Sequence, residues 1–135
     1  MTVKWSSTVR NGVLNAWETA IGTSAIIRIF TGSAPAAVGD ASTGTELVEY
    51  SLGSDWASAA SSGAKALASL PLTTTAGGTG TAGYYRIYAS DGTTCHEQGS
   101  VTATGGGGDM TISNTLITSG QTINITGFTL TAPRA

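Results

Sequence analysis

The chain has 135 residues, a length that suits one domain with its own hydrophobic core. Only 10% of the residues are charged and the net charge is −2, so the chain lacks the basic surface expected of a nucleic-acid-binding protein. No apolar run is long enough to cross a bilayer, and a single cysteine excludes a framework of internal disulfides.

Small residues dominate the composition. Glycine, alanine, serine and threonine supply more than half of the chain. Threonine-rich segments separated by glycines suit pleated strands and tight turns better than long helices. Hydrophobic residues make up 40% of the sequence, which argues against disorder. We therefore predict one all-β domain over residues 1–135 with many short strands.

The first segment is an arm over residues 1–5. It lacks the apolar core of a signal peptide, which predicts that the protein is made and kept in a cytoplasm. The arm ends with Lys4 and Trp5. An isolated large aromatic residue either covers the end of its own domain or contacts a partner. Both alternatives stay open for Trp5, and the second makes Lys4 and Trp5 candidate interface residues.

A single helix is predicted over residues 6–22. Its expected buried face combines apolar side chains at every fourth residue with two alanines: Val9, Val13, Trp17, Ile21, Ala16 and Ala20. Ser6 or Ser7 is a suitable N-cap, and Gly22 is suited to end the helix in a left-handed turn. Because Gly12 weakens the isolated helix, we expect this face to pack on a sheet.

Residues 25–132 are predicted to form a β-sandwich. The strand pattern AIIRIF at 25–30 is echoed by YYRIY at 84–88, so we expect these two strands to be neighbours in one sheet. The remaining strands are expected over 46–52, 64–72, 93–101, 109–117 and 121–132, with residues 73–82 as a loop. The apolar phase of the last strand changes at Gly127, which predicts a β-bulge there.

The hairpin around the turn Ser90-Asp91-Gly92 is the expected centre of the sandwich. One face of its first strand carries Tyr85 and Ile87, while the other face carries tyrosines and an arginine: Tyr84, Arg86 and Tyr88. These three side chains are predicted to form the second layer of the sandwich. The alternative is an exposed platform that binds carbohydrate.

Residues suited to catalysis are scarce. Cys95 and His96 are adjacent, so on a strand they point to opposite faces and cannot act together as nucleophile and base. Cys95 is expected to be a small core residue and His96 a surface group. Glu46 and Glu49 are an odd number of residues apart, which predicts that they lie on different strand faces. We therefore expect no enzyme activity, catalytic residue, cofactor or metal site.

Trp56 is the third candidate interface residue. It lies among small polar residues between two predicted strands. A large aromatic residue in such surroundings is either core covered by a loop or a contact residue at an interface. The sequence leaves both alternatives open.

Three long segments, at 15–35, 80–101 and 105–133, carry a family resemblance. They read NAWETAIGTSAIIRIFTGSAP, GTAGYYRIYASDGTTCHEQGSV and GGGGDMTISNTLITSGQTINITGFTLTAP. In this order and over nearly the whole chain, they resemble a family of small structural proteins of tailed bacteriophages, the capsid decoration or cement proteins. The element Ser54-Asp55-Trp56 fits the family too. These motifs are structural, so the resemblance implies no active-site residues.

The resemblance implies a jelly-roll-like β-sandwich with one N-terminal α-helix. It also implies a structural virion protein on the capsid exterior that binds the lattice of the major capsid protein as a homodimer or homotrimer. Repetition over a lattice strengthens weak contacts through avidity. The alternative is a glycan-binding module of a phage tail or fibre, which would use the platform of Tyr84, Arg86 and Tyr88.

Overall fold

The computed structural model describes residues 2–135, in which one helix precedes nine strands. The elements are α1 (Ser7–Ile21), β1 (Ile26–Thr31), β2 (Glu46–Ser51), β3 (Ala64–Ala66), β4 (Leu72–Thr75), β5 (Gly80–Tyr88), β6 (Cys95–Ala103), β7 (Met110–Ile112), β8 (Leu116–Ile117) and β9 (Thr122–Thr131). The prediction of an all-β fold with one N-terminal helix is confirmed.

The strands form one curled sheet in the order β2-β1-β5-β6-β7-β9-β3, while β4 pairs with β9 and β8 pairs with β5. The curl brings β2 opposite β9, where the Tyr50 hydroxyl donates a hydrogen bond of 2.7 Å to the Ile123 carbonyl. The β6–β7 pair is parallel, whereas a jelly roll is an antiparallel arrangement. The jelly-roll topology is therefore not confirmed.

Strands β1 and β5 are antiparallel neighbours, as their shared pattern predicted. Their register places Arg28 opposite Arg86 and Ile27 opposite Ile87. Strand β5 lies between β1 and β6, so the predicted hairpin is central to the sheet. The isoleucines belong to the main apolar core, while the arginines lie on the outer face of the sheet.

The helix is capped as predicted, but only part of its buried face was predicted correctly. The Ser6 hydroxyl accepts a hydrogen bond from the Val9 amide, and Gly22 has φ of 87°. The buried side instead holds Arg10, Leu14 and Ile21, with Trp17 packed against the core. Arg10 takes this side because its guanidinium donates to the Ala132 carbonyl through Nε at 3.1 Å and Nη2 at 2.8 Å. Trp17 and Ile21 thus face inward as predicted, whereas Arg10 and Leu14 take the places that were predicted for Val9 and Val13.

The strand predicted over 64–72 is wrong in extent. It is divided into β3 and β4, and residues 73–75 belong to β4 instead of a loop. Within this segment Lys65 and Leu67 are buried, and Leu70 and Leu72 pack against the main core. Lys65 tolerates burial because its ammonium lies 2.7 Å from the Glu18 carboxylate and 3.0 Å from the Asn15 amide oxygen. The strand predicted over 109–117 is likewise divided, into β7 and β8.

The predicted β-bulge in the last strand is present. Thr111 pairs with Gly127, but Ile112 pairs with Ile125, so Thr126 has no partner on β7. The extra residue reverses the facing of the strand. Ile125 and Phe128 are buried as a result, although they are an odd number of residues apart.

Candidate functional site

The outer face of β5 is covered by a loop, here called the strap (residues 33–43). Tyr84, Arg86 and Tyr88 are only 1%, 2% and 5% exposed. The Tyr84 hydroxyl donates to the Thr43 carbonyl at 2.6 Å and accepts from the Thr43 amide at 2.9 Å. The prediction that these three side chains are buried is confirmed, but a loop covers them instead of a second sheet. Their burial excludes an exposed carbohydrate platform.

Arg86 holds the middle of the strap through neutral acceptors. Its Nε and Nη2 donate to Gln98 Oε1 at 3.1 and 2.9 Å, and its Nη1 donates to the Asp40 carbonyl at 2.9 Å. Gln98 in turn donates from Nε2 to the Pro35 carbonyl at 2.7 Å. Within residues 2–135, no carboxylate lies within ion-pair distance of Arg86.

Arg28 lies beside Arg86 on the same face and has acidic partners. Its Nε lies 2.7 Å from Glu49 Oε2 and 3.7 Å from Glu46 Oε2. The prediction that Glu46 and Glu49 lie on different faces is therefore wrong. A register shift opposite Ile29 and Phe30 makes Leu47 an extra residue in β2, and this bulge reverses the side-chain alternation.

A pocket of about 600 Å³ opens between the strap and the turn after β5. Strap residues 38–42 and turn residues 92–94 form part of its lining. The sheet contributes the rest of the lining through Arg28, Arg86, Tyr88 and Cys95. The Arg28 guanidinium carbon lies 4.8 Å from the centre of the Tyr88 ring, a cation–π contact. This pocket combines guanidinium, hydroxyl, aromatic and thiol groups.

Cys95 and His96 lie where neither assists the other. A register shift between Ile87 and Tyr88 pairs Cys95 with Tyr88 and leaves His96 unpaired and exposed. Cys95 is half-buried at the edge of the outer cluster. Burial raises the pKa of its thiol, and a thiol that keeps its proton is a poor nucleophile.

The N-terminal arm lies against the C-terminus of its own chain. The Trp5 amide donates to the Arg134 carbonyl at 2.8 Å, and the Arg134 guanidinium carbon lies 5.3 Å from the centre of the Trp5 ring. The Lys4 ammonium donates to the Ala135 main-chain oxygen at 3.1 Å. Trp5 is half-buried and Lys4 is exposed, so both termini form one corner of the molecule.

Trp56 belongs to the core and is 5% exposed. Its Nε1 donates to the Gly22 carbonyl at 2.9 Å, and its ring meets Trp17 edge to face at 5.2 Å. The loop-covered alternative is therefore the one found here. Trp56 is therefore removed from the candidate interface residues, because its buried indole offers almost no surface to a partner.

The sequence analysis did not predict which side of α1 faces solvent. Val9 and Val13 are 48% and 40% exposed. The two charged residues of the helix turn inward: Arg10 is buried, and Glu18 pairs with Lys65. The exposed helix surface therefore carries no charge, the reverse of a usual surface helix. The available signal was that Arg10, Leu14, Trp17 and Ile21 also have helical spacing.

A partly buried carboxylate, Glu97, lies on the inner side of β6, and the sequence analysis did not predict it. Glu97 accepts from Trp17 Nε1 at 3.0 Å and from the Tyr85 hydroxyl at 2.8 Å. Burial raises the pKa of Glu97, and these two donors only partly oppose the rise. Burial and the neighbouring Glu97 carboxylate also raise the pKa of Tyr85. No periodicity marks Glu97, since its partners come from α1 and β5.

Residues 2–135 contain no cluster of three or more histidine, cysteine or acidic side chains with metal-binding geometry. Within the same range, no helix has both the length and the apolar character of a membrane span. Comparisons with protein-family models, curated proteins and solved structures give no match for this chain.

Proposed function

We propose that this protein is a structural virion protein that decorates the outside of a tailed-phage capsid and binds its major capsid protein. The observation that carries the proposal is the surface formed by the arm and the outer side of α1, here called the arm–helix surface. Of the four large hydrophobic side chains exposed in residues 2–135, three belong to the arm and the helix: Val3, Val9 and Val13. The resemblance of three long segments to capsid decoration proteins supports the same role.

The chemistry of this surface suits a protein partner. An exposed helix side without charge loses little solvation energy on burial, while its valines gain from leaving water. The other exposed helix positions combine small residues with uncharged polar ones: Gly12, Ala16 and Ala20 with Ser7, Thr8, Asn15 and Thr19. Lys4 and Trp5 lie at the edge of this surface, where the termini meet. Lys4 supplies a charged group and Trp5 an aromatic group at the rim of the proposed contact.

A weak contact between each copy and the capsid is sufficient for decoration when many copies bind one lattice. Specific interfaces need a buried centre that excludes water, and many identical copies add avidity. A homodimer or homotrimer at symmetry positions supplies that multiplicity. Catalysis has no part in the proposal, and no cofactor is assigned.

The test is decoration of bare capsids by Val9→Glu/Val13→Glu, which places two charges on the arm–helix surface. We expect decoration to be lost while the melting temperature of the free protein is unchanged. Leu116→Glu is the matched control, since Leu116 is 69% exposed on β8, a separate element. Full occupancy by the double variant would contradict the assigned contact.

Two further measurements complete the test. Deletion of residues 1–5 is expected to reduce decoration, because it removes Val3, Lys4 and Trp5 together. The copy number in purified virions should scale with that of the major capsid protein. A few copies per particle would instead indicate the tail or fibre role.

A further inference from the structure

Three polar side chains meet where α1 packs against β3. Lys65 of β3 is 4% exposed, and its ammonium lies 2.7 Å from Glu18 Oε2 and 3.0 Å from Asn15 Oδ1. Asn15 and Glu18 are three residues apart on α1, so their side chains lie on the same side of the helix. An amine, a carboxylate and a carboxamide are therefore in contact, although 50 residues separate Asn15 from Lys65.

Glu18 alone supplies the counterion that a buried ammonium requires. Asn15 adds a carbonyl carbon, Cγ, which an amine can attack. A C=O bond is about 1.2 Å long, so Cγ lies no more than about 4.2 Å from the Lys65 Nζ. Reacting atoms are in position for attack at about 3 to 3.5 Å, and rotation of the Asn15 side chain covers this difference.

The exposure of the reacting groups favours the loss of ammonia. The Lys65 side chain is 3% exposed, so its amine is shielded from water. Asn15 is exposed, and its Nδ2 makes no hydrogen bond within residues 2–135. The nitrogen that must leave is therefore open to solvent, and ammonia that diffuses away cannot reverse the reaction.

We propose that Lys65 and Asn15 join through an isopeptide bond, for which Glu18 is the catalytic base. Glu18 takes one proton from the ammonium, and the neutral amine attacks Asn15 Cγ. In the tetrahedral adduct a second proton passes from Nζ to Nδ2. The Cγ–Nδ2 bond then breaks with its electron pair on nitrogen, and ammonia leaves. Ammonia takes up the proton held by Glu18, so the products are a neutral amide, an ammonium ion and the original carboxylate.

The bond ties α1 to the sheet covalently. It closes a loop between residues 15 and 65 that contains β1 and β2. A crosslink of this kind stabilises the folded state by restricting the unfolded chain, and the amide also replaces a buried charge. The proposal goes beyond capsid decoration, because the reaction needs no partner molecule.

Intact-mass spectrometry of the full chain measures the reaction directly. Formation of the bond lowers the mass by one ammonia, about 17 Da. We expect most molecules of the folded, purified protein to show this loss. A succinimide at Asn11-Gly12 would lose the same mass, so the loss must also be located in the sequence.

A tryptic digest locates the loss. Trypsin cleaves after lysine and arginine, and Lys65 is the only such residue between Arg28 and Arg86. An amidated Lys65 is not cleaved, so peptide 11–28, which contains Asn15, should remain joined to peptide 29–86. A succinimide would instead leave Lys65 cleavable and the peptides separate.

The variant that tests the base is Glu18→Gln, which removes the carboxylate and keeps the shape of the side chain. The mass loss should appear at least about a hundred times more slowly. Glu46→Gln is the matched control, because it also removes one carboxylate, but from the pair with Arg28. It should form the bond as the wild type does. Lys65→Met has no amine, so it should keep the full sequence mass, and circular dichroism checks that each variant is folded.

Several results would overturn the proposal. Full sequence mass in the folded wild type would do so whatever the variants show. A mass loss that maps away from Lys65, or that persists in folded Lys65→Met, would do the same. An unchanged rate in Glu18→Gln would overturn the role of Glu18. None of these measurements involves capsids, so the failure of this proposal is distinguishable from the failure of capsid decoration.

Discussion

The two faces of the β1–β5 ribbon are held by different interactions. The inner face packs Ile27, Ile29 and Ile87, each 0% exposed, into the main core. The outer face buries Tyr84 and Arg86 just as deeply, but under a loop bound by hydrogen bonds. The stability of the inner face therefore depends on close packing of apolar side chains. The stability of the outer face depends on hydrogen-bond partners for its buried polar groups.

Removing volume from the inner face should have the largest effect. Ile87→Ala is expected to lower the free energy of unfolding by about 4 kcal/mol, because it loses transfer energy and leaves a cavity in the core. Urea denaturation followed by tryptophan fluorescence measures the loss. A cost below about 1 kcal/mol would mean that the inner face relaxes around the cavity and is not closely packed.

Removing one hydroxyl from the outer face should have a smaller and more local effect. Tyr84→Phe deletes the group that both donates to and accepts from the Thr43 main chain. We expect the free energy of unfolding to fall by about 1.5 kcal/mol. Hydrogen exchange at the Thr43 amide should become faster, because this amide loses its acceptor. Amides in β9 that exchange only by global unfolding should be faster by the roughly tenfold that this loss implies, and by no more. Uniformly faster exchange would show that the strap and the core unfold together.

Glu97 is the polar exception on the inner side, and its effect depends on pH. Burial raises its pKa, so the folded chain keeps the proton to a higher pH than the unfolded chain. The free energy of unfolding should therefore fall as pH rises from the ordinary glutamate pKa through the raised value. In Glu97→Gln, which retains an acceptor for Trp17, this fall should be absent. Parallel pH profiles of the two proteins would contradict the prediction.

Exposed positions on α1 should show the smallest effect. Val13→Ser is expected to change the free energy of unfolding by less than about 0.5 kcal/mol, because the side chain is already largely in water. Leu14→Ala, one residue further along and 2% exposed, should cost about 3 kcal/mol. Thermal denaturation of the pair checks the corrected facing of the helix. Equal losses would favour the face that the sequence predicted.

Elements with strong local patterns were predictable from the sequence. The helix ends follow from Ser6 and Gly22, whose preferences are local. The hairpin follows from its alternating strands and from Asp91, whose carboxylate accepts from the Thr93 and Thr94 amides. The Gly127 bulge was visible because a single strand carries both phases of the apolar pattern.

Three features were decided by contacts between distant parts of the chain. Leu47 is an extra residue in β2 only when that strand is in register with β1. Arg10 and Lys65 are buried because Ala132 and Glu18 supply their partners. Periodicity counts such side chains as exposed, because it contains no information about a partner elsewhere in the sequence.

The candidate sites divide in the same way. Lys4 and Trp5 were identifiable because an arm before a capped helix is a local feature. The pocket required the strap to fold over Arg86, and the uncharged surface of α1 required Arg10 and Glu18 to find partners inside. Composition and local pattern thus determined the fold class and the main elements. Only the tertiary structure decided which side chains face water, because the burial of a charge depends on a partner that the fold brings to it.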